Sequence, residues 1–455
     1  MGCRRNPRWY PVAAKRQQGV IDLWKGALWM KKILVSLLAA VMVFGATACS
    51  PSGQQTSGGK TVIKVFSNLP DRTTGQGLVE QKIFDQYMAE NQDIDIQVEA
   101  LDDEAYKIKM KAYASGTNLP DLISVWGQPS FLDGYIDAGL IAELDPNDYD
   151  GYGFVEGSLA GFSKNGKLYG LPRNTDMIAF YYNQKLFGDN NWSVPATYDE
   201  LLALAPKIAA AGISPVAMDG NDKWPISIFI TDLLVKIAGT SYQAETLKAI
   251  SSGDFSHPMY AEAARLLQDA FDAGLFQPGF EQQDYGTAQN LFINGQAAMF
   301  YMGSWEMSMA NNQEIQPEVR DNIRAFTMPV VSGGAGVATD IAAWNGGGHS
   351  VVAKSPVKDK AVALLNYIYK PENWTKIAWE NNVCMSAQDF SQYKTGSETP
   401  VQLQLIDIFS QATSISGTTI NDLGSSDFKT KFEDLSQQIS IKSITPEDAI
   451  SALAN

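Results

Sequence analysis

The residue patterns predict an α/β fold in which mainly parallel sheets are covered by helices. Two observations carry this expectation. Between residues 61 and 125, short strand-like runs alternate with segments of helical spacing, the β-α-β-α-β order of a parallel sheet with helices on both faces. From residue 197 onward the pattern becomes mostly helical, interrupted by short apolar strands. A chain of 455 residues, 45% of them hydrophobic, is long enough for two or three domains with sizeable cores.

Taken in order, Thr61–Phe66 reads as a strand ending in the loop Ser67–Asp71, and Gly77–Asn91 as a helix on the spacing of Leu78, Ile83, Phe84, Tyr87 and Met88. Ile94–Val98 alternates as a strand, Glu104–Ala114 is helical, and Asp121–Val125 is a short apolar strand. In such sheets ligands bind beyond the C-terminal strand ends, which places the loops 68–71 and 126–130 at a candidate site. Gly166–Pro172 and Met177–Asn183 follow as strands. Helices are expected at 197–211, 225–238, 258–273 and 286–294, the first with Thr197 and Glu200 as a capping box. Ala297–Tyr301 and Ser350–Ala353 read as strands, and 357–369, 372–381, 401–412, 427–439 and 446–454 as helices. No repeat of 20–50 residues and no coiled coil is evident.

Ahead of the first strand stands a segment of another kind. Lys31 and Lys32 precede an apolar run, Ile33 to Phe44, and then Ala46-Thr47-Ala48-Cys49. A charged start, an apolar middle and small residues before a cleavage point make a secretory signal peptide. The run is too short to span a membrane, which needs about 20 apolar residues. The small residues before Cys49 resemble a bacterial lipobox, whose cysteine is acylated and becomes the mature N-terminus, although Ala46 stands where a leucine is usual. An ordinary cleaved signal with a chance cysteine is the alternative. Residues 30–48 are thus expected to be the signal peptide, Cys49 the lipid attachment point and 49–60 a flexible tether on its composition, Ser50 to Gly59. The protein is expected on the outer face of the bacterial cell membrane. Residues 1–29 read as a non-native upstream extension, because nothing should precede a signal peptide's charged region. Lys25-Gly26-Ala27 can be encoded as a ribosome-binding sequence suited to a start at Met30. Met1-Gly2-Cys3 invites a myristoylation reading, but Asn6 stands where that motif wants Ser or Thr.

The chain carries 35 basic and 50 acidic residues; eight of the former and one of the latter precede Cys49, so the remainder has a formal charge of −22. That balance argues against nucleic acid or anionic headgroups as partners and favours a neutral or cationic ligand. With Cys49 acylated, Cys384 has no partner for a disulfide and reads as a small buried hydrophobe. His257 and His349 are the only histidines, too few for a multi-histidine metal site and hard to build into a hydrolase triad. Tryptophan is abundant by contrast, with ten residues, several in polar, glycine-containing loops.

Several motifs fail on inspection. Gly59-Lys60-Thr61 lacks the phosphate loop's earlier glycine, which would fall at Gln54. Gly151 to Gly157 misses the dinucleotide fingerprint by one residue. Asp145, Asn147 and Glu156 share three spacings with a calcium loop, but Tyr149 and Asp150 occupy positions that should hold a ligand and a glycine. Tyr181-Tyr182 is better read as strand alternation than as an Fe³⁺ pair, and Asp102-Asp103-Glu104 as acids suiting a helix start. No metal and no cofactor is expected.

Three stretches, in order, carry a resemblance. They are Asn118–Trp126 continuing through Phe131–Leu140; Gly166–Pro172 followed by Tyr182–Phe187; and Phe292–Met299 leading to Gly303-Ser304-Trp305. Residues 60–455 resemble the extracellular solute-binding proteins of bacterial ABC importers, in the carbohydrate group that includes the maltose-binding protein. The resemblance implies a two-lobed type II fold joined by hinge crossings, with lobe 1 at 60–171 plus 304–369 and lobe 2 at 172–303 plus 370–455. It also implies a multiply acylated Cys49, membrane contact through that lipid only, a carbohydrate ligand, permease transmembrane subunits as partners, a monomeric receptor and no catalysis.

A sugar ring offers apolar C–H faces to aromatic side chains and hydroxyl edges to amides, carboxylates and Arg. Trp126, Trp224, Trp305 and Trp344 are therefore the leading ligand candidates, the first three at positions where the resemblance implies cleft aromatics. Trp344 and Asn345 adjoin Gly346–Gly348, which permit close backbone approach. Asn68, Asp71, Gln128, Asn174, Asp176 and Asp222 are polar candidates, for each of which turn or cap chemistry is the alternative. Trp192, Trp374 and Trp379 read as packing residues. A secreted glycoside hydrolase with two carboxylates, or the same scaffold holding a polyamine, metal or peptide, are the rival functions.

Overall fold

The computed structural model describes residues 56–116 and 118–454. The upstream extension, the signal peptide, Cys49 and the start of the tether lie outside them. The principal elements of the N-terminal half are β1 (Lys60–Ser67), α1 (Gly75–Glu90), β2 (Ile94–Ala100), α2 (Asp103–Ser115), β3 (Leu122–Trp126), β4 (Leu171–Pro172) and β5 (Thr175–Asn183). Then come α3 (Tyr198–Ala210), β6 (Ser214–Ala217), α4 (Trp224–Ala238), α5 (Pro258–Asp272), α6 (Tyr285–Ile293), β7 (Ala297–Gly303), β8 (Ile323–Phe326), β9 (Ala343–Asn345) and β10 (Gly347–Val351). The chain closes with α7 (Lys358–Ile368), α8 (Trp374–Glu380), α9 (Pro400–Ser410), α10 (Ser426–Ser440) and α11 (Pro446–Ala454). Among the described residues no helix is long and apolar enough to cross a membrane.

Local chemistry explains most boundaries. Asp102 caps α2 by accepting from the Ala105 amide, and Thr197 and Glu200 form the expected capping box on α3. The tether ends earlier than its composition implied. Thr56 and Ser57 pair back onto Thr61 and Lys60 across a Gly58-Gly59 turn in which both glycines have positive φ. A two-residue loop of that kind needs two left-handed residues, which glycine adopts without steric penalty.

The strands form two large sheets. In the first, β1 pairs in parallel with β2 and β3, as the alternation of strands and helices requires. β10 then runs antiparallel to β3 and β4. In the second, β5 is antiparallel to β7, β8 and β9, and only β6 and β7 are parallel. Both sheets are therefore mixed rather than mainly parallel. β5 and β10 reach their sheets directly from the other sheet, without a helical crossover, and so run against their neighbours.

Each sheet has its own core. Ile63, Val65, Phe66, Ile123 and Val125 pack with α1, α2, α7 and Trp374 of α8 around the first sheet. β5 serves both faces of the second by simple alternation. Ile178, Phe180 and Tyr182 pack with α3, α4 and α5, while Met177, Ala179 and Tyr181 pack with Phe300, Met302 and Ile323. Segment 304–345, expected with lobe 1, packs with the second sheet, because β8 and β9 both pair with β5. Trp374, Ala378, Val383 and Cys384, expected with lobe 2, belong to the first core.

A buried ionic network fastens α1 beneath β10. Glu80 is fully buried and accepts from Ser67 Oγ at 2.8 Å, from His349 Nε2 at 2.8 Å and from Arg72. The second imidazole nitrogen of His349 meets Tyr369 Oη at 2.9 Å. Burial alone would raise the Glu80 carboxyl, but its partners outweigh that effect and hold it at about 2, against an ordinary 4.5. Burial lowers His349 below 6.5, so the imidazole is neutral. Both groups have depressed folded-state values, so their stabilisation is complete above the unfolded values and fades as the pH falls through the folded ones. Glu80→Gln is expected to lower unfolding free energy by roughly 3 kcal/mol at neutral pH, because it leaves the largely buried Arg72 guanidinium facing a neutral amide. Denaturant titrations of the two proteins should converge between pH 4.5 and about 2.

Candidate functional site

Three segments run side by side between the sheets. Arg173 N donates to Gly347 O at 2.8 Å and Gly346 N to Asn174 O at 2.8 Å, which joins β4–β5 to β9–β10. On the other side Thr175 N donates to Met385 O at 2.9 Å and Ala387 N to Arg173 O at 3.3 Å. The glycines are required by contact. A Cβ on Gly346 would stand 2.0 Å from Asp176 Oδ2, one on Gly347 2.4 Å from Arg173 Nη2, and one on Gly348 2.1 Å from Leu171 O. Trp344 and Asn345 thus sit in a strand at the crossing rather than in a loop, although the close approach is as expected.

One wall of the crossing is aromatic. Ring centroids of Trp224 and Trp305 are 6.1 Å apart and those of Trp305 and Trp344 6.3 Å, with Tyr285 6.3 Å from Trp224. Each arrives from a different element: Trp224 opens α4, Tyr285 opens α6, Trp305 follows β7 and Trp344 lies in β9. Trp305 lies back over Gly303, where a Cβ would be 2.0 Å from the indole. Its Nε1 donates to Tyr285 Oη at 2.9 Å, and Tyr285 donates in turn to Glu306, which also accepts from Gln289 Nε2 at 2.7 Å. Burial raises the Glu306 carboxyl above its ordinary range. Trp224 and Trp305 remain half-buried, whereas Trp344 is 6% exposed.

Opposite stand the C-terminal ends of the first sheet. Trp126 ends β3 in register with Gly347, edge-on to Phe131 at 4.9 Å, with the Lys107 ammonium 5.5 Å from its ring. Asn68 donates its side-chain amide to Asp103 Oδ1 at 2.9 Å and accepts from Arg173 Nη2 at 3.1 Å. Asp176 is in register with Trp344 and accepts from Asn174. Burial lifts Asp176 to about 7, against the opposing pull of Asn174 and Arg173, and it also raises Asp103. Carboxyls raised by burial beside aromatic faces set hydrogen-bonding groups next to apolar ones.

The family model for bacterial extracellular solute-binding proteins matches residues 71–373. This chain is a bacterial extracellular solute-binding protein. It is 23% identical over 314 residues to the multiple sugar-binding protein of Streptococcus mutans, covering 68% of this chain and 72% of that protein. It is 25% identical over 307 residues to the diacetylchitobiose binding protein NgcE of Streptomyces coelicolor, covering 61% and 64% respectively, a little under two thirds of that relative's length. A structure solved in work on xylan utilization by the thermophilic bacterium Caldanaerobius polysaccharolyticus superposes with a TM-score of 0.79 at 25% identity, over 86% of this chain and 99% of that one. A chitin oligosaccharide binding protein superposes with a TM-score of 0.76 at 23% identity, over 87% and 98%. The fold is the two-lobed type II arrangement.

Of the residues singled out in the sequence, the solute-binding protein brings Trp224, Trp305, Trp344, Asn174 and Asp176 together on or beside the crossing, with Trp126 and Asn68 on the other sheet's edge. Asn345 donates to Gly157 O at 3.2 Å and ties the crossing to the segment before β4. Gln128 is buried in the turn after Trp126. Asp71 is exposed, and its carboxylate accepts from the amides and hydroxyls of Thr73 and Thr74, which hold it at about 2. Asp222 accepts from Asn221 and anchors its own amide on Asp219, so it shapes the turn that presents Trp224. Trp374 and Trp379 are core residues, and Cys384 is buried as a thiol that burial pushes up. Reading the sequence places Arg173 in the polar segment at the crossing without choosing it as a ligand contact, and misses Asp103, Tyr285 and Glu306. Arg173 and Glu306 each adjoin a chosen residue, but no local pattern marks Tyr285.

A methyl on Gly346 has nowhere to go, since Asn174 Nδ2 is also only 2.5 Å from the Cβ position. Gly346→Ala is expected to lose roughly 1–3 kcal/mol by overpacking. Gly286→Ala is the contrasting control: it lies exposed on α6 with nothing within 4 Å, and should gain roughly 0.5–1 kcal/mol in helix propensity. Thermal melts of the two variants should shift in opposite directions.

Proposed function

We propose that this solute-binding protein is a lipid-anchored extracytoplasmic receptor that captures a sugar or oligosaccharide between its lobes and hands it unaltered to an ABC-type permease. The observation that carries this reading is the indole series Trp224, Trp305 and Trp344 beside the polar crossing. Flat apolar faces next to a row of amides and carboxyls match the two surfaces of a sugar ring. The names of the relatives support it: they include proteins described as binding multiple sugars, diacetylchitobiose and chitin oligosaccharides, and a maltose-bound receptor shares the fold. Two relatives of Pyrococcus horikoshii are described as ABC transporter extracellular-binding proteins.

The packing of the cores supports a revised partition. The first lobe comprises residues 60–172 with β10, α7 and α8, and the second comprises β5 to β9 with residues 385–454. Ser130, in the turn after β3, donates to Asp422 Oδ1 at 2.6 Å, 292 residues away. Asp422 is 5% exposed and is otherwise held by Lys429 at 2.7 Å, so it keeps its ion pair when the two halves part. Closure adds the serine contact, and the monomeric closed receptor presents both lobes to the permease. Acylation of Cys49 keeps the receptor at the membrane. A Cys49→Ala variant released into the medium, and an acylated N-terminal peptide in native material, are the expected outcomes.

Saccharides that bind only the folded protein raise its melting temperature. A thermal-shift screen over maltotriose, xylotriose, diacetylchitobiose and raffinose should give a concentration-dependent rise with at least one, and chromatography should recover that saccharide intact. Cleavage products would instead identify a hydrolase. Trp305→Ala is expected to weaken binding by roughly 30-fold, the scale of a buried aromatic contact of about 2 kcal/mol. Ser130→Ala should weaken it about tenfold by removing a charge-assisted hydrogen bond worth roughly 1.5 kcal/mol in the closed form. Calorimetric titration measures both, and unchanged affinity in Trp305→Ala contradicts the assignment of the aromatic wall.

A further inference from the structure

Arg173 is 3% exposed at the crossing, and its guanidinium is incompletely paired. Nη2 donates to Asn68 Oδ1 at 3.1 Å, while Nε and Nη1 are buried without a hydrogen-bond partner. Each of these nitrogens carries N–H donors and has no capacity to accept. The group is held from two sides: the Trp374 ring lies 5.9 Å away, and Gly347 leaves room for Nη2 only by having no Cβ.

The acids around it have other partners. Glu80 is taken by Ser67, His349 and Arg72, Asp103 Oδ1 accepts from Asn68, and Asp176 Oδ1 accepts from Asn174. Arg173 is thus a cation embedded among carboxyls, with no direct ion pair to any of them.

We propose that Arg173 is the specificity-determining residue of the cleft floor, its Nε–H and Nη1–H donating to hydroxyl oxygens of a neutral sugar unit and discriminating against a uronic acid. This rests on the saccharide reading above and adds the chemical class of the unit bound deepest. Both two-pronged edges of a guanidinium include one of the two Nη2 hydrogens, and Asn68 Oδ1 takes one of these, so only one edge is left to clamp a carboxylate. A hydroxyl accepts from Arg173 and still has a proton to give to Asp103 or Asp176, whereas a carboxylate only accepts and would add negative charge beside them.

The test uses the full chain and whichever of maltotriose, xylotriose, diacetylchitobiose and raffinose binds it. Its monodeoxy analogues and an analogue ending in a uronic acid are titrated alongside. Arg173→Lys keeps the charge but not the two N–H directions, and is expected to raise Kd at least 30-fold while still unfolding cooperatively. At least one monodeoxy analogue should bind the wild type tenfold more weakly than the parent sugar, yet bind Arg173→Lys as well as the parent does. A purely structural arginine would leave that deoxy penalty intact. Asn68→Ala retains the guanidinium, frees the second Nη2 hydrogen and so opens the other two-pronged edge to a carboxylate, and should narrow the preference for the neutral over the uronate ligand at least fivefold, which keeps the test decisive if the lysine variant does not fold. Unchanged Kd in Arg173→Lys, persistence of every deoxy penalty, or tighter binding of the uronate by the wild type overturns the proposal. If no saccharide binds the wild type, the receptor reading itself fails, an outcome distinct from intact sugar binding that ignores Arg173.

Discussion

The close passage of Gly346–Gly348 over residues 171–176 is the constraint on which the site depends. Without Cβ atoms at these positions, Asp176, Arg173 and the Leu171 carbonyl can lie directly against a neighbouring backbone. The crossing strands therefore pack closely, and the polar side chains they carry are withdrawn from water. The same passage sets Trp344 in register with Asp176 and Gly347 in register with Trp126, so one ribbon brings aromatic and polar groups from two sheets together. Strands that bond on both sides have few ways to move, which makes the crossing a stiff connection between the two sheets.

Burial has opposite consequences at two carboxyls near this floor. Glu80 receives an imidazole N–H, a hydroxyl and a guanidinium, and is held ionised. Asp176 receives one amide and is pushed to about 7. In the first arrangement both carboxylate oxygens have partners. The second, with the unpaired nitrogens of Arg173 and the raised Glu306 and Asp103, leaves polar capacity unmet where the aromatic wall ends. Unmet donors and acceptors beside an aromatic wall offer partners to the polar edge of a ligand.

Much of this was legible in the sequence, because the N-terminal elements obey local rules. The strand and helix order from 61 to 125 follows from periodicity, and the capping box at Thr197 from four residues. Three of the four candidate tryptophans proved to be neighbours: Trp224 opens a helix and Trp305 follows a strand, where α/β folds gather ligands, and Trp344 joins them from within β9. What was not legible depends on partners distant in sequence. Ile323–Phe326 is too short and too interrupted by Arg324 to announce itself as a strand, yet its pairing with β5 moves the whole segment 304–345 to the second core. The antiparallel sense of β5 and β10 follows from the route of the chain, which no window of residues encodes. Nothing local to Arg173 sets it apart from its neighbours, because its surroundings come from Trp374 and Asn68, 201 and 105 residues away.

A crystal structure of the protein with its bound saccharide tests the central claim most directly. The sugar is expected to lie against Trp305 with hydroxyls reaching the crossing at Arg173 and Asp176, and with Trp126 approaching from the other sheet. A sugar bound elsewhere, or one that leaves the crossing dry and untouched, would contradict it.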